Sequence, residues 1–423
     1  MRRALTSLLA LCLAGPAAAA TIVRGPYVQD VGQSSLVIAV RLSEPAALSL
    51  EVGATDALGT TLRSAAALEH AFHVDGRAPG SALHYRVEGE TSSHVVLLAP
   101  EGPAPVRFCV VGDMGSGDDR QAAVAARLVA QRPDLVLCVG DIVYPHGADE
   151  GYDARFFAPY RALLPEVPFY PVLGNHDMHT ANGAPYLAVF HLPTGAGQER
   201  FYSFDRGEVH FVGLDSNADL APDGAQSRWL EADLAASKLP VKVAYFHHPA
   251  FTNGRHGEDE EESRAMRGTF VPILARHGVQ LVLAGHDHDY ERLAPRDGIQ
   301  FFVSGSGGAG LRPFTPGPDT LHADDTHHQT TCFASDGHAG LAFEAVAADG
   351  TVLDAGTLLQ AGKLITAPPA PLGALPQPAA GGRGSGCGCS TREESSREGS
   401  FWFVLLALAI FRRQRLRCPT ARS

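Results

Sequence analysis

Val106-Arg107-Phe108-Cys109-Val110-Val111-Gly112-Asp113-Met114-Gly115 is an apolar run that stops on a carboxylate held between glycines. A run this short, bounded by a turn signal, reads as a strand buried on both faces. An Ala-rich amphipathic stretch follows over residues 120–131, with Asp118 or Asp119 as its N-cap. Then Leu135-Val136-Leu137-Cys138-Val139-Gly140-Asp141-Ile142-Val143-Tyr144 repeats the apolar run and its Gly-Asp ending. Strand, helix, strand in this order predicts a right-handed βαβ unit with parallel pairing, hence an α/β fold. The alternation continues with a helix over residues 152–164 and strands over 168–173, 208–214, 241–246 and 279–284.

The polar endings of these strands carry the chemistry. After the first two come Gly174-Asn175-His176-Asp177, His247 and Gly285-His286-Asp287-His288. Open α/β sheets bind ligands at strand C-terminal ends, which is where all five fall. A carboxylate shared between two cations offsets their mutual repulsion, and Asp141 suits that position, with Asp113 on the neighbouring strand. One Gly-Asp pair alone is ordinary turn chemistry. A phenolate such as Tyr144 suits a hard trivalent ion, although a lone loop tyrosine is usually an amphipathic rim residue. Asn175 offers a neutral amide oxygen. His286 and His288, two apart in an extended segment, are expected to point the same way. His248, next to His247, is expected to face away. The acidic run from Glu258 to Glu262 reads as the solvated first turn of a helix.

This order of motifs resembles the binuclear metallophosphoesterases. Tyr144, three residues beyond Asp141, narrows the resemblance to the purple acid phosphatases, over roughly residues 24–350. The resemblance implies an α/β sandwich with mixed sheets flanked by helices. It implies Asp113, Asp141, Tyr144 and His288 around Fe(III), and Asp141, Asn175, His247 and His286 around a divalent Zn, Mn or Fe. His176 would lie close to the phosphate, with Asp177 holding its tautomer, and His256 would face the substrate. Ala244 stands where the family usually has Val, which leaves His247 unaffected. The segment from Phe301 to Gly308 resembles a Gly-rich loop near the family's site. His210 reads as structural. The implied activity is two-metal hydrolysis of small phosphate monoesters. A phosphodiesterase or nucleotide-cleaving enzyme shares the same core. A non-catalytic surface-binding protein would be expected to have lost ligands, and none of the seven is missing.

At 423 residues the chain is long enough for two or more domains. A hydrophobic share of 45% and a charged share of 19% describe a chain able to bury a large core. A net charge of −12 excludes a general nucleic-acid binder. Residues 1–20 read as a secretory signal: Arg2 and Arg3, an apolar stretch, then Ala18-Ala19-Ala20. Residues 21–102 carry short strand patterns at 36–40, 48–52 and 83–87, which suggest a β-sandwich. Its opening Arg24-Gly25-Pro26-Tyr27-Val28-Gln29 resembles the fibronectin III-like N-terminal domain of purple acid phosphatases. Residues 100–105 form a Pro/Gly linker, and the catalytic region runs over 103–360. Cys109 and Cys138 read as buried free thiols, with no disulfide framework. Residues 361–399 read as a flexible spacer with Gly386-Cys387-Gly388-Cys389. Over 400–423, eleven apolar residues precede Arg412, Arg413, Arg415 and Arg417. That run spans about 16 Å as a helix, short of a bilayer core of about 30 Å. It resembles C-terminal sorting tails of exported myxobacterial proteins, so the tail is expected to engage sorting machinery or a membrane at the cell surface.

Overall fold

The computed structural model describes residues 20–365, Glu258 excepted. Residues 1–19 of the signal segment, residues 366–399 of the spacer with Cys387 and Cys389, the apolar tail and Glu258 lie outside the described residues. The first residues assigned to the spacer are not flexible linker, since Lys363–Leu364 pairs as a short strand with Leu359 and Gln360. Among the described residues, no helix is long and apolar enough to cross a membrane.

The N-terminal region is all antiparallel: β1 (Ile22–Gln29), β2 (Leu36–Gly53), β3 (Thr60–Val74), β4 (Ala82–Val87) and β5 (His94–Leu97). The order is β1-β2-β4-β5, with β3 also on β2. The strands expected at 36–40 and 48–52 are one strand of 18 residues. Its irregularities between Arg41 and Leu48 bend it without ending it, so its first half pairs with β1 and its second with β4. Pro45 sits in that exposed bulge, where no ladder donor is needed. Val28, Ile38, Leu50, Tyr85 and Val96 close into a core of their own.

The remaining chain forms two seven-stranded sheets. Its strands are β6 (Arg107–Val111), β7 (Leu135–Cys138), β8 (Phe169–Pro171), β9 (Tyr202–Arg206), β10 (Val209–Gly213), β11 (Val241–Tyr245) and β12 (Leu281–Ala284). β13 (Tyr290–Leu293), β14 (Gln300–Ser304), β15 (Thr320–Asp324), β16 (Gln329–Ser335), β17 (Leu341–Ala347), β18 (Val352–Gln360) and β19 (Lys363–Leu364) follow. One sheet runs β19-β18-β17-β16-β6-β7-β8 and the other β15-β13-β14-β12-β11-β10-β9. Pairing is parallel within β6-β7-β8 and β10-β11-β12-β14, and antiparallel elsewhere. The sheets are therefore mixed. Aromatic rings fill the layer between them: Phe108 lies 5.0 Å from Phe211, and Phe302 lies 5.1 Å from Phe343. Helix Ala225–Ala236 seals the outer face of the second sheet through Leu230 and Leu234. Helix Asp119–Gln131 packs Val124 and Leu128 on the first, and the Asp118 carboxylate caps it by accepting from the N–H groups of Arg120 and Gln121.

Two expectations need correcting here. The helix expected over 152–164 runs as Asp149–Tyr152, a wide turn Asp153–Phe157 and Ala158–Tyr160. Pro159 has no N–H to offer the Arg155 carbonyl, which accepts from the Gln121 side chain instead. Cys109 is not a free thiol. It sits opposite Cys332 in the β6–β16 register and is disulfide-bonded to it, whereas Cys138 is free and buried.

The β1 segment joins the N-terminal sheet to the two-sheet body. Buried Arg24 bonds Asp149 at 2.6 Å and Asp153 at 2.5 Å. The Tyr27 hydroxyl donates to Val189 O at 2.8 Å, and the Val28 N–H to Leu164 O at 2.9 Å.

Candidate metal centre

Five loops leaving β6, β7, β8, β11 and β12 meet at one point. Asp113 is fully buried, and its Oδ2 accepts the His286 N–H at 2.8 Å. Its Oδ1 lies 3.0 Å from the Tyr144 hydroxyl and 3.5 Å from His288 Nε2. Tyr144 and His288 are 3.1 Å apart, so these three form one pole. At the other pole, His247 Nε2 lies 3.0 Å from Asn175 Oδ1 and 3.2 Å from His286 Nδ1. Asp141 Oδ1 lies 3.6 Å from His247 Nε2. Ligand atoms of Asp113, Asp141 and His247 fall within 4.8 Å of one another, so Asp141 stands between the poles.

Backbone geometry holds this convergence. Asp113 and Asp141 both have φ +54° and His286 has φ +71°, values that side-chain-bearing residues rarely adopt. The motif glycines make room: a Cβ at Gly174 would strike the Asp141 carboxylate, and one at Gly140 would strike the His247 ring. The turn at His286 also corrects an expectation. His286 and His288 are not paired by extended backbone; the chain turns between them, and they reach opposite poles. His248 does not face away either. The strand ends at Tyr245, alternation stops there, and the His248 ring packs 4.5 Å from His286 with Nδ1 bonded to Ser216 Oγ at 2.8 Å.

The supporting contacts settle tautomers. His247 Nδ1 bonds Val139 O at 2.8 Å and His288 Nδ1 bonds Gly310 O at 2.9 Å, leaving each Nε2 aimed inward. His176 Nδ1 bonds Pro145 O at 2.7 Å, so Nε2 faces Asp141 at 3.9 Å. Asp177 does not hold His176. Its buried carboxylate accepts the N–H groups of Ile142 at 3.0 Å and Gly174 at 2.9 Å, bracing the two loops that carry Asp141 and Asn175. The acidic run is not merely solvated. Glu260 lies between His256 Nδ1 at 2.7 Å and His286 Nε2 at 2.9 Å. Its position four residues after His256 was the one available sequence signal. Arg312 touches His256 Nε2 and had no signal beyond its place after the Gly-rich loop.

Electrostatics match the geometry. Burial alone would raise the Asp113 carboxyl, but the bond from His288 and the charge of His247 hold it below its usual value. Burial, then the charges of His247 and His256, pushes His286 down to about 2, so it is neutral and able to ligate. Burial and the neighbouring Asp113 and Asp141 push the Tyr144 phenol well up. A cation between these groups would reverse the shift of the Tyr144 phenol and would further favour the unprotonated forms of Asp113 and His286. Two buried carboxylates, a phenol, an amide oxygen and three imidazoles fit an oxygen-rich site for a hard ion beside a mixed N/O site for a borderline one.

Residues 106–290 match the family described as calcineurin-like phosphoesterase. Purple acid phosphatase 23 of Arabidopsis thaliana is 28% identical over 265 residues, covering 53% of this chain and 57% of that protein. A second Arabidopsis thaliana relative, named probable inactive purple acid phosphatase 9, is 29% identical over 267 residues, covering 50% of this chain and 41% of its own. The chain thus spans about half the length of the curated relatives it matches. Among solved structures, a purple acid phosphatase from yellow lupin (Lupinus luteus) seeds superposes with a TM-score of 0.69 at 18% identity, covering 78% of this chain and 73% of that one. That likeness is one of fold. Residues 106–290 are therefore a calcineurin-like phosphoesterase domain with purple acid phosphatase relatives.

Proposed function

We propose that this protein is an exported acid phosphatase that hydrolyses small phosphate monoesters at a two-metal centre. One observation carries the reading: seven donor side chains from five separate loops converge around Asp141. Asp113, Tyr144 and His288, with Asp141 shared, would hold Fe(III). Asn175, His247 and His286, with the same Asp141, would hold Zn, Mn or Fe. When bound, such a pair supplies Lewis-acid activation of water and neutralises charge on the phosphoryl oxygens.

The chain's own residues do the rest. His176, fixed by Pro145 O, presents Nε2 to a phosphoryl oxygen and orients the ester. His256 donates a proton to the leaving oxygen from Nε2, while Glu260 on Nδ1 stabilises the imidazolium. Asp177 acts through the backbone, as a positioning residue for Asp141 and Asn175. Export rests on the signal-like residues 1–20, and the Arg-rich tail would then engage a membrane or sorting machinery. One relative is named a probable inactive purple acid phosphatase, but a non-catalytic surface role for this chain would be expected to go with lost donors, and none of the seven is missing.

The test is a phosphate mono- and diester panel with metal quantification, run on the wild type and Asp141→Asn. The wild type should carry two metals per chain and turn over monoesters fastest. Asp141→Asn should lose both metals and several orders of magnitude in kcat. Iron in the Tyr144 pole should give a visible charge-transfer band that Tyr144→Phe removes. Two retained metals and near-normal turnover in Asp141→Asn would refute the centre. A colourless, active enzyme holding only zinc or manganese would refute the iron alone.

A further inference from the structure

His146 and His179 bring two imidazole nitrogens together outside the seven-donor set. Their Nδ1 atoms lie 3.2 Å apart and their ring centroids 5.4 Å apart. Both residues are exposed. The backbone builds this approach. The turn that carries Tyr144 continues to His146, and the short helix Asn175–Met178 ends just before His179. Three hydrogen bonds lock that turn to that helix. The Thr180 hydroxyl donates to His146 O at 2.6 Å, His176 Nδ1 bonds Pro145 O at 2.7 Å, and the Asp177 carboxylate accepts the Val143 N–H at 3.3 Å. Gly147, at φ +60°, lies so close to the Asp177 backbone that a Cβ there would clash.

As a hydrogen bond, this contact uses the two rings poorly. One Nδ1 must carry a proton and the other must not, and water competes for both. As a chelate, the geometry fits. Two nitrogens each about 2.0–2.1 Å from a tetrahedral ion stand about 3.3 Å apart. The observed 3.2 Å matches that bite. Imidazole ligands suit Zn, Cu and Ni rather than Mg or Ca. The His179 ring lies 5.2 Å from His176, whose ring lies 4.6 Å from Tyr144. The pair is thus one ring removed from the histidine assigned to the ester. We propose that His146 and His179 form a third, exchangeable cation site for a borderline transition ion, with its remaining positions left to water. The ion places a positive charge beside His176 that draws in the anionic ester. The role of the charge rests on the phosphatase reading above; the site does not.

The experiment is equilibrium dialysis of the metal-loaded protein against Ni²⁺, with nickel and the centre's own metals quantified, for the wild type, His146→Gln and His179→Gln. The wild type should take up one nickel per chain and keep the metals of the centre. Outer partners of a ligand are already worth about 10- to 100-fold in metal affinity, so loss of a ligand itself should weaken nickel binding at least about tenfold in each variant. Bound nickel should lower KM for phenyl phosphate in the wild type and leave both variants unchanged, with kcat the same in all three. No uptake, equal uptake in the variants, or uptake matched by loss of a centre metal overturns the site. Uptake with an unaltered KM overturns the role of its charge. A wild type that does not hydrolyse phenyl phosphate overturns the phosphatase reading, while nickel uptake still decides the site.

Discussion

Asp113, Asp141 and His286 are the residues on which the centre turns, and each sits in backbone that glycine would occupy more comfortably. Such conformations cost about 1–3 kcal/mol each and persist only where surrounding contacts over-determine them. Here the contacts are the Asp177 carboxylate beneath two loops and the His286 N–H on Asp113. Glu260 adds a further constraint by tying His286 to His256. His256→Ala should leave both metals in place and lower kcat by about 10²-fold, less for esters with good leaving groups. Glu260→Gln should behave differently, weakening divalent-metal affinity by about 10- to 100-fold because a ligand loses its orienting partner. Metal titrations of the two variants separate them. If His256→Ala strips a metal, the assignment of His256 to the substrate is wrong.

At the scale of elements, the strands position the centre and the antiparallel strands keep the parallel ones in place. His210 on β10 shows how. Its Nδ1 meets Asp205 on β9 at 2.6 Å and its Nε2 meets Asp233 on helix Ala225–Ala236 at 2.9 Å, so one ring joins three elements and has no part in the chemistry. Burial would lower its pKa, but the two carboxylates outweigh it and raise it from 6.5 to about 9. The charged form is the one favoured by folding. Its stabilisation is complete below about 6.5 and disappears as pH rises through about 9. His210→Phe should accordingly show its largest Tm deficit near pH 6, by a few degrees, and almost none near pH 10. A deficit independent of pH across that range would mean that packing, rather than charge, is what His210 supplies.

At the scale of the whole molecule, the N-terminal sheet is docked through β1 by groups that its sequence alone gave no reason to read as interface. Arg24 is only 5% exposed, yet its partners Asp149 and Asp153 are 44% and 59% exposed. Solvent screening discounts the ion pairs, and the Arg24 guanidinium, lying over Phe157 at 5.5 Å from the ring centroid, adds a cation–π contact to them. Arg24→Ala should loosen this junction without touching the centre. Limited proteolysis within residues 100–105 should become several-fold faster, while metal content and kcat stay at wild-type values. Unchanged cleavage would show that Tyr27 and Val28 suffice to hold the sheet.

The sequence by itself determined the parts that depend on neighbours along the chain. Apolar runs of four to six residues had to be strands, Asp118 or Asp119 had to cap a helix, and each Gly-flanked donor had to leave a strand on a tight turn. The five motifs could therefore be located, and their order resembled a known family. Boundaries and partners were another matter, because they arise from contacts between distant segments. Cys109 met Cys332 across a separation of 223 residues, through a register that no local pattern encodes. The helix expected across Pro159 is interrupted there, and the strands expected on either side of Pro45 are one strand joined through a bulge. Asp177 looked like a partner for the histidine beside it and instead accepted backbone N–H groups from two loops. Glu260 looked like surface charge, and Arg312 like nothing in particular, until loop closure set both against His256. Short-range sterics and hydrogen bonding are written in adjacent residues; which polar side chains end up facing one another is decided only when the sheets close and water is excluded between them.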